Sequence, residues 1–219
     1  LAAALKDRLS FYKLRAKVSV DDLSEALGVM AVWDGAALSE FGPSFADPRL
    51  TALGTRTILP PELAAEAAAD LGATLADAAA YDAHRVALGV PRGGEDFTYG
   101  DAFPHEADMD QLGGIDFQKG CYVGQEVISR VEHRGSARSR VVPVAYEFAP
   151  QSGLPIMAGE KEVGTLMSAG KGHGLAMVRL DRVADALAAD TPLLCGNLPI
   201  RLVKPDWATF AWPGEAKAS

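Results

Sequence analysis

Cys121, one of only two cysteines in the chain, lies in the segment KGCYVGQE with a lysine two residues before it. The thiolate is the reactive form of a cysteine, and a nearby cation or a helix N-terminus stabilises it. Lys119 supplies the cation, and the residues after Gly124 have the apolar periodicity of a helix that begins there. The segment therefore predicts an activated thiol just ahead of a helix. The alternative is an unreactive cysteine in a tight turn, with Gly120 and Gly124 present only for their backbone freedom.

Two arginines on the predicted helix are a second candidate site. Arg130 and Arg134 are four residues apart, so on a helix their guanidinium groups share a face and can hold an anion. The alternative is a solvated helix face on which Glu126 pairs with Arg130. The helix is predicted to end at Gly135.

The other cysteine and the histidines give weaker signals. Cys195 lies in LLCGN, which has the context of a strand end and predicts burial. The histidines are scattered along the sequence, at His84, His105, His133 and His173. Two cysteines without a histidine cluster do not complete a zinc or iron–sulfur site, so no metal is predicted, although a Cys/His pair stays open. The sequence contains neither a P-loop nor a G-x-S-x-G motif.

The composition is that of an ordinary globular protein. The 219 residues carry a net charge of −8, 48% of them are hydrophobic, and the isoelectric point is near 5.0. An acidic chain is a poor match for a phosphodiester backbone, so no direct nucleic-acid partner is predicted. No apolar run reaches the roughly 20 residues of a membrane-spanning helix, so no membrane contact is predicted either. The low cysteine content favours a reducing compartment.

The elements that must position these residues follow from periodicity. The first 88 residues predict a mixed α/β body, with helices over residues 1–12, 60–72 and 77–88 and strands over residues 17–20, 27–33 and 55–59. Nothing caps the first helix from the front, so the chain is interpreted as lacking its N-terminal segment. The Gly-rich stretch 91–118 has almost no periodicity and leads directly into the Cys121 segment. Loops of this length are usually either functional or a misinterpretation of regular structure.

Beyond residue 138 the pattern changes to short strands separated by glycine and proline. They cover residues 140–148, 161–168, 173–180 and 198–203, and they predict a small all-β domain, either a barrel or a sandwich. The predicted domains are therefore residues 1–137 and residues 138–212, followed by a tail over residues 213–219.

The stretch GGIDFQKGCYVGQEVISRVEHRG, residues 113–135, resembles the signature of the YgfZ family of folate-binding proteins, which shares its fold with the glycine-cleavage T-protein, GcvT. Six other segments resemble the family in the same order: FYKLRAKVSV, HRVALGVPRGGEDF, FPHEADMDQLGG, EVGTLMSAG, LAMVRLD and LVKPDW. The resemblance covers almost the whole chain, but the family's opening segment is absent. It implies an α+β fold, a GcvT/YgfZ-like cloverleaf of three domains. These are a mixed α/β domain, a partial ferredoxin-like domain and a small C-terminal antiparallel β-barrel, with residues 1–137 as the C-terminal part of the folate-binding region.

The resemblance also implies a function. Proteins of this family bind tetrahydrofolate and help to make or maintain iron–sulfur proteins, including those that modify tRNA. The implied cofactor is tetrahydrofolate or a one-carbon derivative, and the implied partners are folate and iron–sulfur client proteins or assembly factors. The implied location is the cytoplasm of a bacterium or the mitochondrial matrix of a eukaryote.

Carried over onto this sequence, the role of the family's motif cysteine falls to Cys121. Lys119 and Tyr122 join it as the expected catalytic residues. The expected loop-shaping and helix-capping residues are Gly120, Gly124, Gln125 and Glu126. The expected folate-binding residues are Arg85, Glu106, Arg130 and Arg134, the last two as contacts for the glutamyl tail.

Two departures from the T-protein bear on the alternative function, a folate-dependent aminomethyltransferase. The T-protein has an acidic residue where this chain has Cys121. Its corresponding helix ends R-x-E-A-G, and the glutamate contacts the pterin, whereas this chain reads RVALG and has Ala87 in that place. Glu106 is the carboxylate considered as its replacement. A third interpretation is a folate-binding scaffold without chemistry of its own.

Overall fold

The structure is a computed structural model that describes residues 1–35, 38–134 and 137–215, without the side chains of residues 132–134. The chain forms two compact units, Leu1–Asp77 and Ala78–Ser219. The first contains a three-stranded sheet and the second a closed barrel. Cys121 lies in the second unit.

The first unit contains a small antiparallel sheet with a helix packed on it. Its elements are α1 (Ala2–Tyr12), β1 (Gly28–Val32), β2 (Ser44–Ala46), β3 (Thr55–Leu59) and α2 (Ala64–Asp70), with single 3-10 turns at Thr51–Leu53 and Pro61–Leu63. The strand order is β1-β3-β2. Met30, Leu59 and Ala67 form the buried core between the sheet and α2. The helices predicted over residues 1–12 and 60–72 and the strands predicted over residues 27–33 and 55–59 are confirmed.

A buried carboxylate fastens the start of β3 to the turn before it. Asp47 accepts hydrogen bonds from Arg49 Nη2 at 2.8 Å and from Arg56 Nε at 2.6 Å. Burial opposes the charge on Asp47, but the hydrogen bonds from the two arginines outweigh it and hold the pKa of the carboxyl well below its ordinary value of 3.8. The first unit therefore depends on an ionised Asp47.

The strand predicted over residues 17–20 is wrong. These residues form neither helix nor strand, and the side chain of Val18 is 53% exposed. An extended segment needs a neighbouring strand for its backbone hydrogen bonds. Here the ammonium of Lys13 donates to the carbonyl of Val18 at 2.9 Å instead. The alternation of residue types over residues 17–20 therefore does not produce a strand, because no neighbouring strand pairs with them.

The second unit is built around a closed antiparallel barrel. Its elements are α3 (Ala78–Ala87), α4 (Gln125–Arg134), β4 (Ser139–Ala145), β5 (Pro155–Ala158), β6 (Lys161–Ala169), β7 (His173–Arg179), α5 (Leu180–Ala188), β8 (Leu193–Cys195) and β9 (Leu198–Leu202). The strand order around the barrel is β4-β7-β6-β5-β8-β9. Its core is filled by branched apolar side chains, among them Val142, Ile156, Val163, Leu166 and Val178. The α+β class and the small C-terminal barrel are confirmed, and the sandwich alternative is excluded. The sequence does not predict β5 or α5, and of β8 it predicts only the end, at Cys195.

α3 packs on barrel strands β4 and β7. The contact is made by three buried side chains, Val86, Val141 and Leu175. Gly89 follows the helix with φ +79°, and a Cβ there would lie 2.6 Å from Cγ of Pro143, so the chain can pass this close to β4 only as glycine. The indole N–H of Trp207 donates to the carbonyl of Leu88 at 2.8 Å. The long loop after α3 therefore starts from a fixed point on the barrel.

The predicted domain boundary after residue 137 stays a prediction. The division into compact units falls after Asp77, while the first barrel strand begins at Ser139. Residues 135–136, beside the predicted boundary, and residues 216–219 of the predicted tail lie outside the described residues.

Candidate functional site

The thiol of Cys121 lies in an exposed loop four residues before the start of α4. Gly124 precedes the helix with φ +87°, and its carbonyl accepts the backbone N–H of Val127 at 3.1 Å. The helix start predicted at Gly124 is thus confirmed, whereas its predicted end at Gly135 lies outside the described residues. Glu126 is exposed in the first turn of α4, where a negative charge is favourable.

Two side chains hold the backbone of this loop, one at each end. Oδ1 of Asp116 accepts the N–H of Gln118 at 2.9 Å and that of Lys119 at 3.1 Å. Oε1 of Gln125 accepts the N–H of Tyr122 at 3.1 Å. The sequence analysis did not single out Asp116, although an aspartate that accepts backbone N–H groups two and three residues on is a known turn signal.

Lys119 and Tyr122 meet across the Gly120–Cys121 turn. The ammonium nitrogen of Lys119 lies 4.8 Å from the centroid of the Tyr122 ring, which is a cation–π distance. A Cβ added at Gly120 would meet no atom within 4 Å, so the space beside the cysteine is open. The structure therefore brings the lysine, the tyrosine and the thiol into one accessible loop.

The described residues among the predicted folate contacts have different surroundings. Arg130 is exposed on α4, and the side chain of Arg134 lies outside the described residues, so their common face stays a prediction. Glu106 lies in the loop that leads to the cysteine segment: its carboxylate accepts the N–H of Phe103 at 3.0 Å, and its backbone carbonyl accepts the N–H of Val141 at 2.8 Å. Glu106 thus helps to fix that loop on β4.

Arg85 is a buried ion-pair partner. Its side chain is 3% exposed, and its Nη1 and Nε lie 2.5 Å from Asp96 Oδ2 and 2.7 Å from Asp82 Oδ1. Burial disfavours the charged form, but the two carboxylates outweigh it and raise the pKa of Arg85. Asp96 also accepts hydrogen bonds from the backbone N–H of Arg92 and the hydroxyl of Ser168. Arg85 therefore ties the loop after α3 to β6 and presents no charge at the surface.

A second buried group, which we call the Arg140 cluster, comprises Arg140, His105, Asp108, Asp110 and Phe210. The guanidinium of Arg140 donates to the His105 carbonyl at 2.8 Å, to Asp108 Oδ1 at 2.9 Å and to both carboxylate oxygens of Asp110 at 2.8 and 2.7 Å. It also lies 4.3 Å from the ring of Phe210. The sequence analysis did not find this cluster, because nothing in the sequence pairs β4 with acidic residues some 30 positions earlier.

In the described part of the structure, the residues considered for pterin recognition either contact other protein groups or are apolar. Arg85 is enclosed in ion pairs, Ala87 has no polar side chain, and Oε2 of Glu106 is occupied by a backbone N–H. In the part of the chain that the structure describes, no group of three or more His, Cys, Asp or Glu side chains is placed to hold a metal ion. Among the same residues, no helix has the length and apolar character needed to cross a bilayer.

Comparison with known proteins gives a match to the barrel and matches to nearly the whole chain. Residues 138–210, which form the barrel, match the model of the CAF17 C-terminal β-barrel domain. The chain is 34% identical over 232 residues to the mouse mitochondrial iron–sulfur cluster assembly factor IBA57 and 32% identical over 235 residues to the human one. Each match covers 98% of this chain. The chain is similar to these assembly factors along nearly its whole length.

The matches cover a smaller part of the relatives than of this chain. The chain covers 62% of the mouse and human proteins. A homologue of the same name from Mycosarcoma maydis is 38% identical over 143 residues, which are 63% of this chain and 34% of that protein. The relatives are IBA57-type proteins, so the finer resemblance to the YgfZ family stays a prediction.

A solved structure shows the same fold. The aminomethyltransferase T of the glycine cleavage system from Bartonella henselae matches with a TM-score of 0.53 and 16% identity, covering 72% of this chain and 47% of that one. The GcvT-like fold implied by the sequence is therefore confirmed. At this identity the likeness concerns the fold alone.

Proposed function

We propose that this protein takes part in the assembly or maintenance of iron–sulfur proteins and that it acts through Cys121. The assembly role is supported by the mouse and human relatives, which are named for it and whose alignments cover 98% of this chain. The role of Cys121 is supported by one observation: an exposed thiol lies in a loop whose backbone is fastened by Asp116 and Gln125 at its two ends. Such a loop presents the sulfur to another molecule without having to order itself first.

The chemistry proposed for Cys121 is ligand exchange on a cluster that is cargo. The thiolate of Cys121 forms a bond to iron, a thiolate ligand of the incoming cluster leaves, and the leaving sulfur takes up the proton that Cys121 gave up. Neither iron nor sulfur changes its oxidation state. An iron–sulfur cluster is usually held by four thiolate ligands, so a single thiol from this chain would share the cluster with thiolates of a partner protein or of glutathione.

Lys119 has a defined part in this proposal. A cluster ligated by thiolates is anionic, and the Lys119 ammonium is held over the Tyr122 ring beside the cysteine. The cation favours the approach of the anionic cargo. The open space at Gly120 leaves room for that approach.

We include tetrahydrofolate, or a one-carbon derivative of it, as a second ligand. This part rests on the resemblance to folate-binding proteins, with Arg130 and Arg134 as contacts for the glutamyl tail. Arg85 and Glu106, which the resemblance also implies, would have to give up their present protein partners to bind folate. Replacing Arg130 by Met should weaken binding of polyglutamylated folate more than that of the monoglutamate in a calorimetric titration. An equal loss for both ligands would contradict the assignment of Arg130. The mitochondrial matrix is the proposed location, because the relatives are named mitochondrial.

The alternative function is a folate-dependent aminomethyltransferase. It rests on the resemblance of the sequence to a family related to the glycine-cleavage T-protein. The absence of an acidic residue at Cys121 and of a carboxylate at Ala87 speaks against it. Incubation with tetrahydrofolate and an aminomethylated carrier protein decides between the two functions, because only the transferase would release methylene-tetrahydrofolate and ammonia.

The proposed role of Cys121 can be tested with purified protein. Wild type, Cys121→Ser and the matched control Cys195→Ala are incubated with a glutathione-ligated 2Fe–2S cluster, and protein-bound cluster is followed by visible absorption and circular dichroism after gel filtration. Cys195 is 1% exposed and ends β8, so its loss should leave binding unchanged. We expect cluster on wild type and Cys195→Ala but not on Cys121→Ser. Equal binding by all three proteins would contradict the role of Cys121.

A further inference from the structure

The Arg140 cluster places two carboxylates on one guanidinium inside the protein. The side chains of Arg140, Asp108 and Asp110 are 4%, 0% and 5% exposed. One positive charge cannot balance two negative ones, and an excess charge is expensive where water is excluded. One of the two carboxyl groups therefore keeps its proton more strongly than an ordinary carboxyl group does.

Geometry identifies Asp108 as that group. Asp110 contacts the guanidinium through both of its oxygens, whereas Asp108 contacts it through Oδ1 alone. Among the described residues, Oδ2 of Asp108 has no hydrogen-bond partner. Burial, and to a smaller degree the neighbouring Asp110, raise the pKa of Asp108 to about 8 against the opposing effect of Arg140. The pKa of Asp110 is lowered, because its hydrogen bonds from Arg140 outweigh its burial.

The cluster holds the loop that leads to Cys121. Arg140 belongs to β4, while His105, Asp108 and Asp110 belong to the loop. The same loop is bonded to the barrel nearby through the N–H of Val141 and the carbonyl of Glu106. The ring of His105 lies 6.5 Å, centroid to centroid, from that of Phe117, two residues before Lys119. A change at Asp108 therefore has a short path to the cysteine segment.

We propose that Asp108 is a proton-dependent latch for the loop that carries Cys121. With Asp108 protonated, Arg140 pairs with Asp110 and holds residues 103–112 on the barrel. With Asp108 ionised, the cluster carries an excess negative charge and the loop opens more often. The charged groups that act on Asp108 are Arg140 from β4 and Asp110 from the loop itself. The side chain of His105, also in the loop, acts on Asp110. The latch is independent of the proposed function, and only its effect on cluster handling at Cys121 rests on that function.

The direction of the pH dependence follows from proton linkage. In the open loop the pKa of Asp108 has its ordinary value of 3.8, so Asp108 binds its proton more strongly in the closed loop than in the open one. The equilibrium constant for loop closing is largest below about pH 4. It falls by up to about tenfold per pH unit until the pH reaches the pKa of Asp108 in the closed loop, about 8. Above that pH both forms are ionised and the equilibrium no longer changes.

Hydrogen exchange measured at pH 6, 7, 8 and 9 tests the latch directly. Protection factors, corrected for the intrinsic exchange rate, are compared for a peptide covering residues 103–114 and for one from β7 as an internal control. For wild type we expect the protection of the loop to fall by up to about tenfold per unit from pH 6 to 8 and to level off by pH 9. Asp108→Asn cannot ionise and tolerates the backbone φ of +55° at this position, so its loop should show no such fall.

A second variant keeps the test decisive if Asp108→Asn does not fold. Asp110→Asn removes the smaller of the two causes that raise the pKa of Asp108, so the fall in loop protection should persist but level off at a lower pH than in wild type. A flat wild-type profile, or the same fall in both variants as in wild type, would overturn the latch.

The link to the cysteine is tested by the rate at which a maleimide modifies Cys121, read by mass spectrometry of its peptide. The ratio of the wild-type rate to the Asp108→Asn rate cancels the ionisation of the thiol, which both proteins share. We expect this ratio to depart from one between pH 6 and 8. A ratio that stays at one while loop exchange changes would overturn the link to Cys121. Failure of Cys121 to bind clusters would contradict the proposed function and leave both results unaffected.

Discussion

Replacing Arg85 by methionine should strongly destabilise the second unit. The substitution removes the guanidinium that lies 2.5 Å from Asp96, whose side chain is 0% exposed, and leaves that carboxylate in the protein with only neutral donors. Breaking a buried pair from one side costs about 3–5 kcal/mol. Asp82 adds little to this cost, because it is 32% exposed and keeps an ion pair with Arg92 at 2.9 Å. For a unit of this size the melting temperature should fall by roughly 6–20 °C.

The assay is denaturant unfolding followed by tryptophan fluorescence, since Trp207 contacts the end of α3. The double variant Arg85→Met with Asp96→Asn should recover most of the lost free energy of unfolding, because it leaves no unpaired buried charge. A loss below about 1 kcal/mol for Arg85→Met alone would refute the reasoning. It would mean that Arg85 is not enclosed in the buried pair and is available to a ligand, as the family resemblance implied.

Three further predictions follow from single contacts. Gln125→Ala removes the acceptor for the Tyr122 N–H and should cost about 0.5–1.5 kcal/mol of local stability, seen as faster amide exchange in the first turn of α4, whereas Gln125→Glu keeps an acceptor and should not. The stability of the first unit should fall as the pH is lowered from about 4 to 2, because the lowered pKa of Asp47 makes its contribution to stability present above pH 3.8 and progressively lost below it. In Asp47→Asn, the hydrogen exchange of β3 should depend less steeply on pH than in wild type. An equally steep dependence in both proteins would contradict this. Cys195 should resist alkylation in the native protein while Cys121 reacts, because their thiols are buried and exposed respectively; modification of both at one rate would be the contrary result.

Local sequence signals predicted those parts of the fold that local forces determine. α3 begins and ends close to the predicted residues, α2 ends close to its predicted end, and α4 begins close to its predicted start, because apolar spacing, proline and glycine act over a few positions. β3 was found at its observed bounds, since alternate residues of TRTIL face the core. Residues 17–20 alternate in the same way but have no strand beside them, and they form none.

The parts that the sequence did not predict depend on contacts between distant residues. β5 and β8 are only four and three residues long and are strands because they pair with each other and with their barrel neighbours. Arg140 meets Asp110 across 30 positions, and Asp96 meets Ser168 across 72. No local pattern shows that Asp96 folds onto Arg85.

The candidate site shows the same division. The thiol, the lysine and the helix start were all predicted from one segment, and the structure places them in one loop. The fastening of that loop by Asp116 is also local and was available from the sequence as a turn signal. The latch at Asp108 was not, since its behaviour comes from burial against β4 rather than from its neighbours in sequence.

The most direct test of the account is complementation of cells that lack the gene. Wild type, Cys121→Ser or the control Cys195→Ala is expressed at matched abundance, and the activities of several iron–sulfur enzymes are measured alongside glycine cleavage. We expect the iron–sulfur activities to fall without the gene and to return with wild type and Cys195→Ala but not with Cys121→Ser. Glycine cleavage should fall only to the extent that it depends on iron–sulfur enzymes. Full restoration by Cys121→Ser would contradict the central claim, and the fastened loop would then serve a purpose other than presenting a thiol.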